Sequence, residues 1–280
     1  MTIIENETLT GERAAYSCKD ALFLNCLFTD GESPIKEGSF VSAQKTTFAY
    51  KYPLWYGDNL KAEHCLFASS ERAGVWYSKD AGFFSCQIDG PKNFRKCERL
   101  LLKDCSFSNA EETLWWNRDV ILENVTAENG AYFGMGCRKV RTKNLRLIGD
   151  YAFDGGVDIE IVDSVLHTKD AFWNCDKVTL KNCTVIGEYF GWNSKNVTLI
   201  HCRIQSHQGF CYMENVTLVD CEVVDSDLIF EYCSNIDAKI LTEIDSVKNP
   251  ISGRIASKGI KKLILEKEFI DPAKTRFEDL

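Results

Sequence analysis

Trp55, Trp76, Arg95, Trp115, Met135, Asp154, Trp173, Trp192, Cys211 and Glu231 recur at intervals of 19 to 21 residues and hold five of the six tryptophans in this 280-residue chain. The residue after each adds Tyr56, Tyr77, Lys96, Trp116, Asn174, Asn193, Tyr212 and Tyr232. Flat aromatic rings interspersed with amides and carboxylates suit sugars, whose C–H faces stack on rings while their hydroxyls bond at the edges. On that reading Trp173, Trp192, Tyr212, Asn193, Glu231 and Asp154 form a binding platform. A structural reading stands beside it. Aromatic neighbours in a ladder add ~0.5–1.5 kcal/mol per pair, and an exposed aromatic stripe also suits an oligomer interface.

A second stripe lies four residues ahead of the first and runs Glu111, Ala131, Asp150, Lys169, Glu188, His207, Asp227. In-register stacking would place His207 between Glu188 and Asp227, about one strand spacing (~4.8 Å) from each. A histidine between carboxylates can act as a general acid or base with a raised pKa. Alternating charge is equally what a solvated turn ladder needs to avoid repulsion. Glu188, His207 and Asp227 are the candidate acid and base groups. Whether the chain is an enzyme stays open.

The elements that would position these residues are legible in the cysteines. Cys26, Cys65, Cys86, Cys105, Cys183, Cys202 and Cys221 share one column at steps near 20, and Cys18, Cys97, Cys137, Cys175 and Cys233 share another eight positions earlier. A fixed period of this length marks a solenoid whose units bury their apolar faces only by stacking. Within a unit, Val178-Thr-Leu-Lys-Asn-Cys183-Thr-Val185 alternates apolar and polar residues, breaks at Asn182, and resumes. Period two with β-branched residues predicts short strands. The residue before the cysteine runs Asn25, His64, Ser85, Asp104, Asn124, Asn144, Asp163, Asn182, His201, Asp220. Asn and Asp tolerate the left-handed region, so this column predicts a sharp corner. A third strand is expected to carry Tyr132 and Phe133, Phe172 and Trp173, Phe190, or Phe210. Three strands and three turns per unit describe an all-β, single-stranded parallel β-helix of about 12–13 coils, with inward cysteine ladders and Asn/Asp corner ladders.

The chain is expected to be one β-helix domain over 1–280, with an N-terminal cap at 1–17, coils over 18–265 and a polar C-terminal tail or cap at 266–280. It resembles an uncharacterised bacterial family of right-handed parallel β-helix proteins in the pectate-lyase-like superfamily. The resemblance rests on Tyr52-Pro-Leu-Trp-Tyr-Gly-Asp-Asn-Leu60, the recurring Cys, Asn and Asp coils, and Asp245-Ser-Val-Lys-Asn-Pro-Ile-Ser-Gly-Arg254. It implies fold and handedness but carries over no catalytic residues. The Asn-Thr-Asp, Asp-Asp, Gly-His-Gly and Arg-Ile-Lys motifs of pectinolytic relatives are absent, and fold alone does not imply activity.

A net charge of −8 opposes nucleic acid and anionic membranes as partners. It also disfavours polyuronates unless a basic patch or calcium intervenes. No Gly-rich phosphate loop, His-Glu-x-x-His or Gly-x-Ser-x-Gly occurs, so no cofactor or metal is expected. The amino terminus shows no basic region followed by an apolar core, and thirteen cysteines without Cys-x-x-Cys suit free thiols in a reducing cytoplasm. The expected function is carbohydrate binding, or hydrolase or lyase action on an oligosaccharide. The alternative is a noncatalytic scaffold whose Trp stripe meets a second copy or another chain.

Overall fold

The computed structural model describes residues 1–280 and resolves into two compact units, Met1–Arg146 and Leu147–Leu280. Both units are right-handed parallel β-helix, and the only helical element is a 3-10 turn at Pro272–Lys274. The strand that opens each coil begins eight times in the first unit and seven times in the second. The excess over the expected 12–13 comes from the ends. Residues 1–17 supply Thr2–Glu5 and Thr8–Thr10, paired in register with Ala21–Leu24 and Leu27–Thr29. In 266–280, Thr275–Asp279 pairs with Gly253–Ser257. Both ends are therefore built as coils.

Register is strict because inward positions recur at the coil period. In the second unit Val178, Val197 and Val216 are direct partners, as are Leu180, Leu199 and Leu218. In the first, Ala21, Val41, Leu60, Ala81, Leu100 and Val120 form one row. A slip of one residue would turn each row outward. The cysteines are free, and all but Cys18 are buried. Cys183, Cys202 and Cys221 donate their thiols to the carbonyls of Ile161, Leu180 and Leu199 at 3.4–3.5 Å. Cysteine is thus a small hydrophobe that also gives its weak donor a partner.

The corner before the cysteine is left-handed as expected, with φ of 54° at Asn182 and 51° at His201. Left-handed residues are, however, far more frequent than one corner per coil. The coil from Val178 to Val197 also bends at Tyr189, Asn193 and Asn196, with φ of 53–57°. An L-residue there costs about 1–2 kcal/mol, and amide ladders offset part of that. Asn182 donates to Asp163 at 2.9 Å, while Asn196 donates to Asp176 and Asn215 to Asn196 at 2.7 and 2.9 Å.

The expected third strand does not form. Phe172 and Asn174 are both left-handed, which leaves one extended residue between two corners. Isolated parallel bridges alone join Trp76, Arg95 and Trp115 there, and Ile229 bridges Val247 in the same way. The side wall instead buries phenylalanines: Phe190, Phe210 and Phe230 follow at 5.1 Å intervals between ring centroids.

Candidate functional site

In the second unit each coil turns through a left-handed residue at Asn174, Asn193, Tyr212 and Tyr232, which pushes these side chains outward. Trp173 and Trp192, one position earlier, are half-buried behind them. Trp173 anchors by donating its indole N–H to the Tyr189 carbonyl at 2.7 Å. The rings then continue along the coils: Trp173 to Trp192 at 5.8 Å, Trp192 to Tyr212 at 4.9 Å, Tyr212 to Tyr232 at 5.4 Å, tilted by 33–47°. Tilted neighbours cover part of each face, and Tyr212 stays 45% exposed. Beside them runs a polar row, in which Asn174 donates to Asp154 at 3.0 Å and Asn193 donates to Asn174 at 2.9 Å. Partial burial, then the Glu231 carboxylate, holds the Tyr212 phenol above its ordinary pKa.

Glu231 does not join this platform. It is 5% exposed, and its oxygens are taken by Lys248 at 2.7 Å and Gln208 at 2.9 Å. It shares a column with Asp154, yet Lys248 and Gln208 enclose it as a structural anchor. Cys211, next to it in that column, is fully buried, and burial pushes its thiol up to about 12.

Stacking brings the second stripe together as the spacing implies. Glu188 and His207 are direct register partners on the strands Thr184–Glu188 and Arg203–His207. His207 Nδ1 lies 2.5 Å from Asp227 Oδ1, with each side chain 46% exposed. Glu188 is drawn to Lys169 at 3.3 Å. The histidine therefore works as a pair with Asp227, and Glu188 belongs to a neighbouring ion pair.

A family model described as protein of unknown function (DUF3737) matches residues 2–278. The chain belongs to that family. No curated protein matches this DUF3737 chain. Among solved structures, the surface adhesin PfbA of Streptococcus pneumoniae is similar with a TM-score of 0.51 at 10% identity, covering 83% of both chains. A periplasmic alginate epimerase, AlgG, reaches 0.33 at 11% identity, covering 99% of this chain and 74% of its own. The catalytic domain of a GH87 alpha-1,3-glucanase reaches 0.30 at 9% identity, covering 99% and 61%. At these identities the likeness concerns the fold alone.

Sequence reasoning passed over Tyr189 in this DUF3737 chain. Its ring lies 5.8 Å from His207 and 6.2 Å from Trp192, so it joins the two stripes into one edge. The available signal was its place directly after the acidic stripe, in the column of Asp170 and Gln208, which are left-handed like Tyr189. Asp170 is buried there, and desolvation raises its pKa. His64 and His201 occupy corners as expected, with φ of 54° and 51°.

In the first unit the same columns close on themselves. Trp55 and Trp76 stack at 5.0 Å and 6°, and Tyr56 and Tyr77 at 4.9 Å and 9°. Arg95, which stands where an aromatic would, inserts its guanidinium 4.5 Å from Trp76 and 4.3 Å from Trp115 and pairs with Glu112 at 3.1 Å. Cation–π contact thus explains an arginine in a tryptophan line. Trp116 ends the outer column against Gly136, whose φ is +67° and where a Cβ would lie 2.3 Å from the indole Cδ1. Gly136→Ala should destabilise by about 1–2 kcal/mol through the left-handed backbone and the displaced ring. Denaturant unfolding checks the cost, and a red shift of tryptophan emission checks the displacement.

Proposed function

We propose that the second unit binds a carbohydrate along the edge formed by Trp173, Trp192, Tyr212 and Asn193, with Tyr189 connecting it to His207 and Asp227. The observation that carries this reading is the pairing of two rows on one edge. Aromatic rims follow the coils, and the Asp154–Asn174–Asn193 amide row runs beside them with the Asn193 carboxamide oxygen at its end. Ring edges and amides at coil spacing (~4.8 Å) suit a chain of hydroxylated rings better than a single compact ligand. A neutral oligosaccharide fits a chain of net charge −8.

Binding is favoured over turnover. His207 and Asp227 can move a proton, but water reaches both side chains, and electrostatic stabilisation of a transition state needs a dry, preorganised site. The buried free thiols fit a reducing compartment, which would supply short soluble oligosaccharides rather than intact polymers.

Titration against a panel of neutral oligosaccharides tests the proposal. Trp192→Ala should weaken binding by about tenfold or more without changing the mass in solution. Lack of binding by the wild-type protein, or full retention by Trp192→Ala, would remove the reading. Product formed by the wild type and absent with His207→Asn would add turnover to it.

A further inference from the structure

Six of the thirteen cysteines stand in two unbroken runs that neither stripe uses. Cys65, Cys86 and Cys105 hold the same position in consecutive coils of the first unit, fixed by the register that pairs Leu66 with Gln87 and Gln87 with Ser106. Cys183, Cys202 and Cys221 repeat this in the second unit, where Thr184 pairs with Arg203 and Arg203 with Glu222. All six are buried. Cys97 and Cys137, by contrast, are separated by Asn117 in the coil between them.

Within a run each sulfur is held in the same way. Cys65 lies 3.4 Å from the carbonyl oxygens of Glu63 and Ala43, Cys86 lies 3.4 and 3.6 Å from those of Phe84 and Ala62, and Cys105 lies 3.4 Å from those of Lys103 and Phe83. Sulfurs held alike in successive coils follow one another at about the coil spacing, ~4.8 Å. The middle thiols, Cys86 and Cys202, each interact with the thiols on both sides. At a metal–sulfur bond of ~2.3 Å, an ion bound by two sulfurs in line needs them roughly 4.6 Å apart, which the runs already supply. A disulfide needs ~2.05 Å, so its sulfurs would have to leave their carbonyls. No three metal-ligating side chains gather around one point, which denies Zn²⁺ its four ligands. Two sulfurs per gap suit a soft ion of low coordination number.

We propose that the two cysteine runs bind soft monovalent metal ions of the Cu(I) and Ag(I) class, one in each gap between neighbouring sulfurs. The gaps are Cys65–Cys86, Cys86–Cys105, Cys183–Cys202 and Cys202–Cys221. Each ion replaces one thiol proton: an S–H bond breaks, an S–metal bond forms, the proton leaves to water, and the next sulfur donates a lone pair. Two ions displace two of the three protons in a run. The core therefore gains no net charge, which matters where an uncompensated ion is costly. The inference does not depend on glycan binding, because it uses neither the Trp192 edge nor His207.

Native mass spectrometry of the reduced full chain, equilibrated with silver ion or, without oxygen, with cuprous ion, is the test. The wild type should take up an ion for each of the four gaps, and Cys86→Val and Cys202→Val should each lose two. Removing a middle sulfur leaves the outer pair about twice the coil spacing apart, roughly 9.6 Å, which one ion cannot span. Valine already fills this buried column at Val125, next in register after Cys105. Cys137→Ser, which changes a cysteine outside the runs, should lose none. Loss of one ion from all three variants would mean that single thiols bind independently, and it would overturn the proposal. So would a wild type that takes up no ion, or a Cys86→Val chain that keeps the full number. Should Cys86→Val fail to fold, Cys86→Thr takes its place on the precedent of the buried Thr46 in the same column and must lose the same two ions.

Discussion

Raising the pH from about 4.5 to about 8 should destabilise the wild-type protein relative to Glu71→Gln by a few kcal/mol. Glu71 is fully buried in the first unit; its Oε2 accepts from Asn93 at 3.2 Å, and its Oε1 has no partner. Two glycines make its room. A Cβ at Gly74 would lie 2.0 Å from Glu71 Oε1, and one at Gly90 would lie 1.7 Å from the Glu71 carbonyl. Burial pushes the carboxyl up to about 8 against an ordinary 4.5, with the Asn93 hydrogen bond opposing. The folded state therefore holds its proton more tightly than the unfolded chain. That contribution is complete below the unfolded value of 4.5 and is lost progressively as pH rises through the folded value near 8. Glutamine keeps the neutral shape and has nothing to ionise. Denaturant unfolding of both proteins across this range isolates the effect, because every other titrating group is common to them. The expected result is a stability difference that widens up to about pH 8 and is flat beyond. A difference that stays constant throughout would rule out a protonated Glu71 in the fold.

Phe48→Ala should cost about 3–5 kcal/mol and Phe48→Leu no more than about 1.5 kcal/mol. Phe48 is fully buried and lies 5.2 Å from Phe28 and 4.8 Å from Phe67, with interplanar angles of 4° and 22°. Alanine removes the ring and both stacking contacts from the middle of a column, whereas leucine refills most of the volume. Because coils contact only their neighbours, the loss should be felt first in the coils on the amino-terminal side. Hydrogen exchange should show protection falling over residues 1–48 of the variant before it falls elsewhere, while urea unfolding gives the total. A loss below about 1 kcal/mol would mean that the column closes over the gap and that the stack is not what holds these coils.

Most of the fold could be read from spacing. Cysteines at steps near 20 specified the register that pairs Val178 with Val197 and Val216. The polar residue before each cysteine marked a corner that is left-handed in the structure. The side wall was misread because the aromatic run looked like a strand. Left-handed residues on both sides of Trp173 reduce it to a single extended position, and bulky residues such as Phe172 and Phe210 adopt a conformation that propensity disfavours because stacking repays it.

The candidate site was legible only in part. Placing His207 beside Asp227 followed from period alone, since identical coil positions must stack. The burial of Glu231 did not follow, because Lys248 and Gln208 reach it from other positions in the coils and no column records that approach. Tyr189 was missed for the same reason, as its meeting with Trp192 and His207 depends on ring direction rather than spacing. The sequence by itself determined the repeat, the register and the inward face, because each follows from a one-dimensional period and the need to bury apolar rows. Only the tertiary structure decided which rings meet solvent, which carboxylate is enclosed, and which charges pair. Those outcomes depend on side-chain direction and on contacts between positions that share no period.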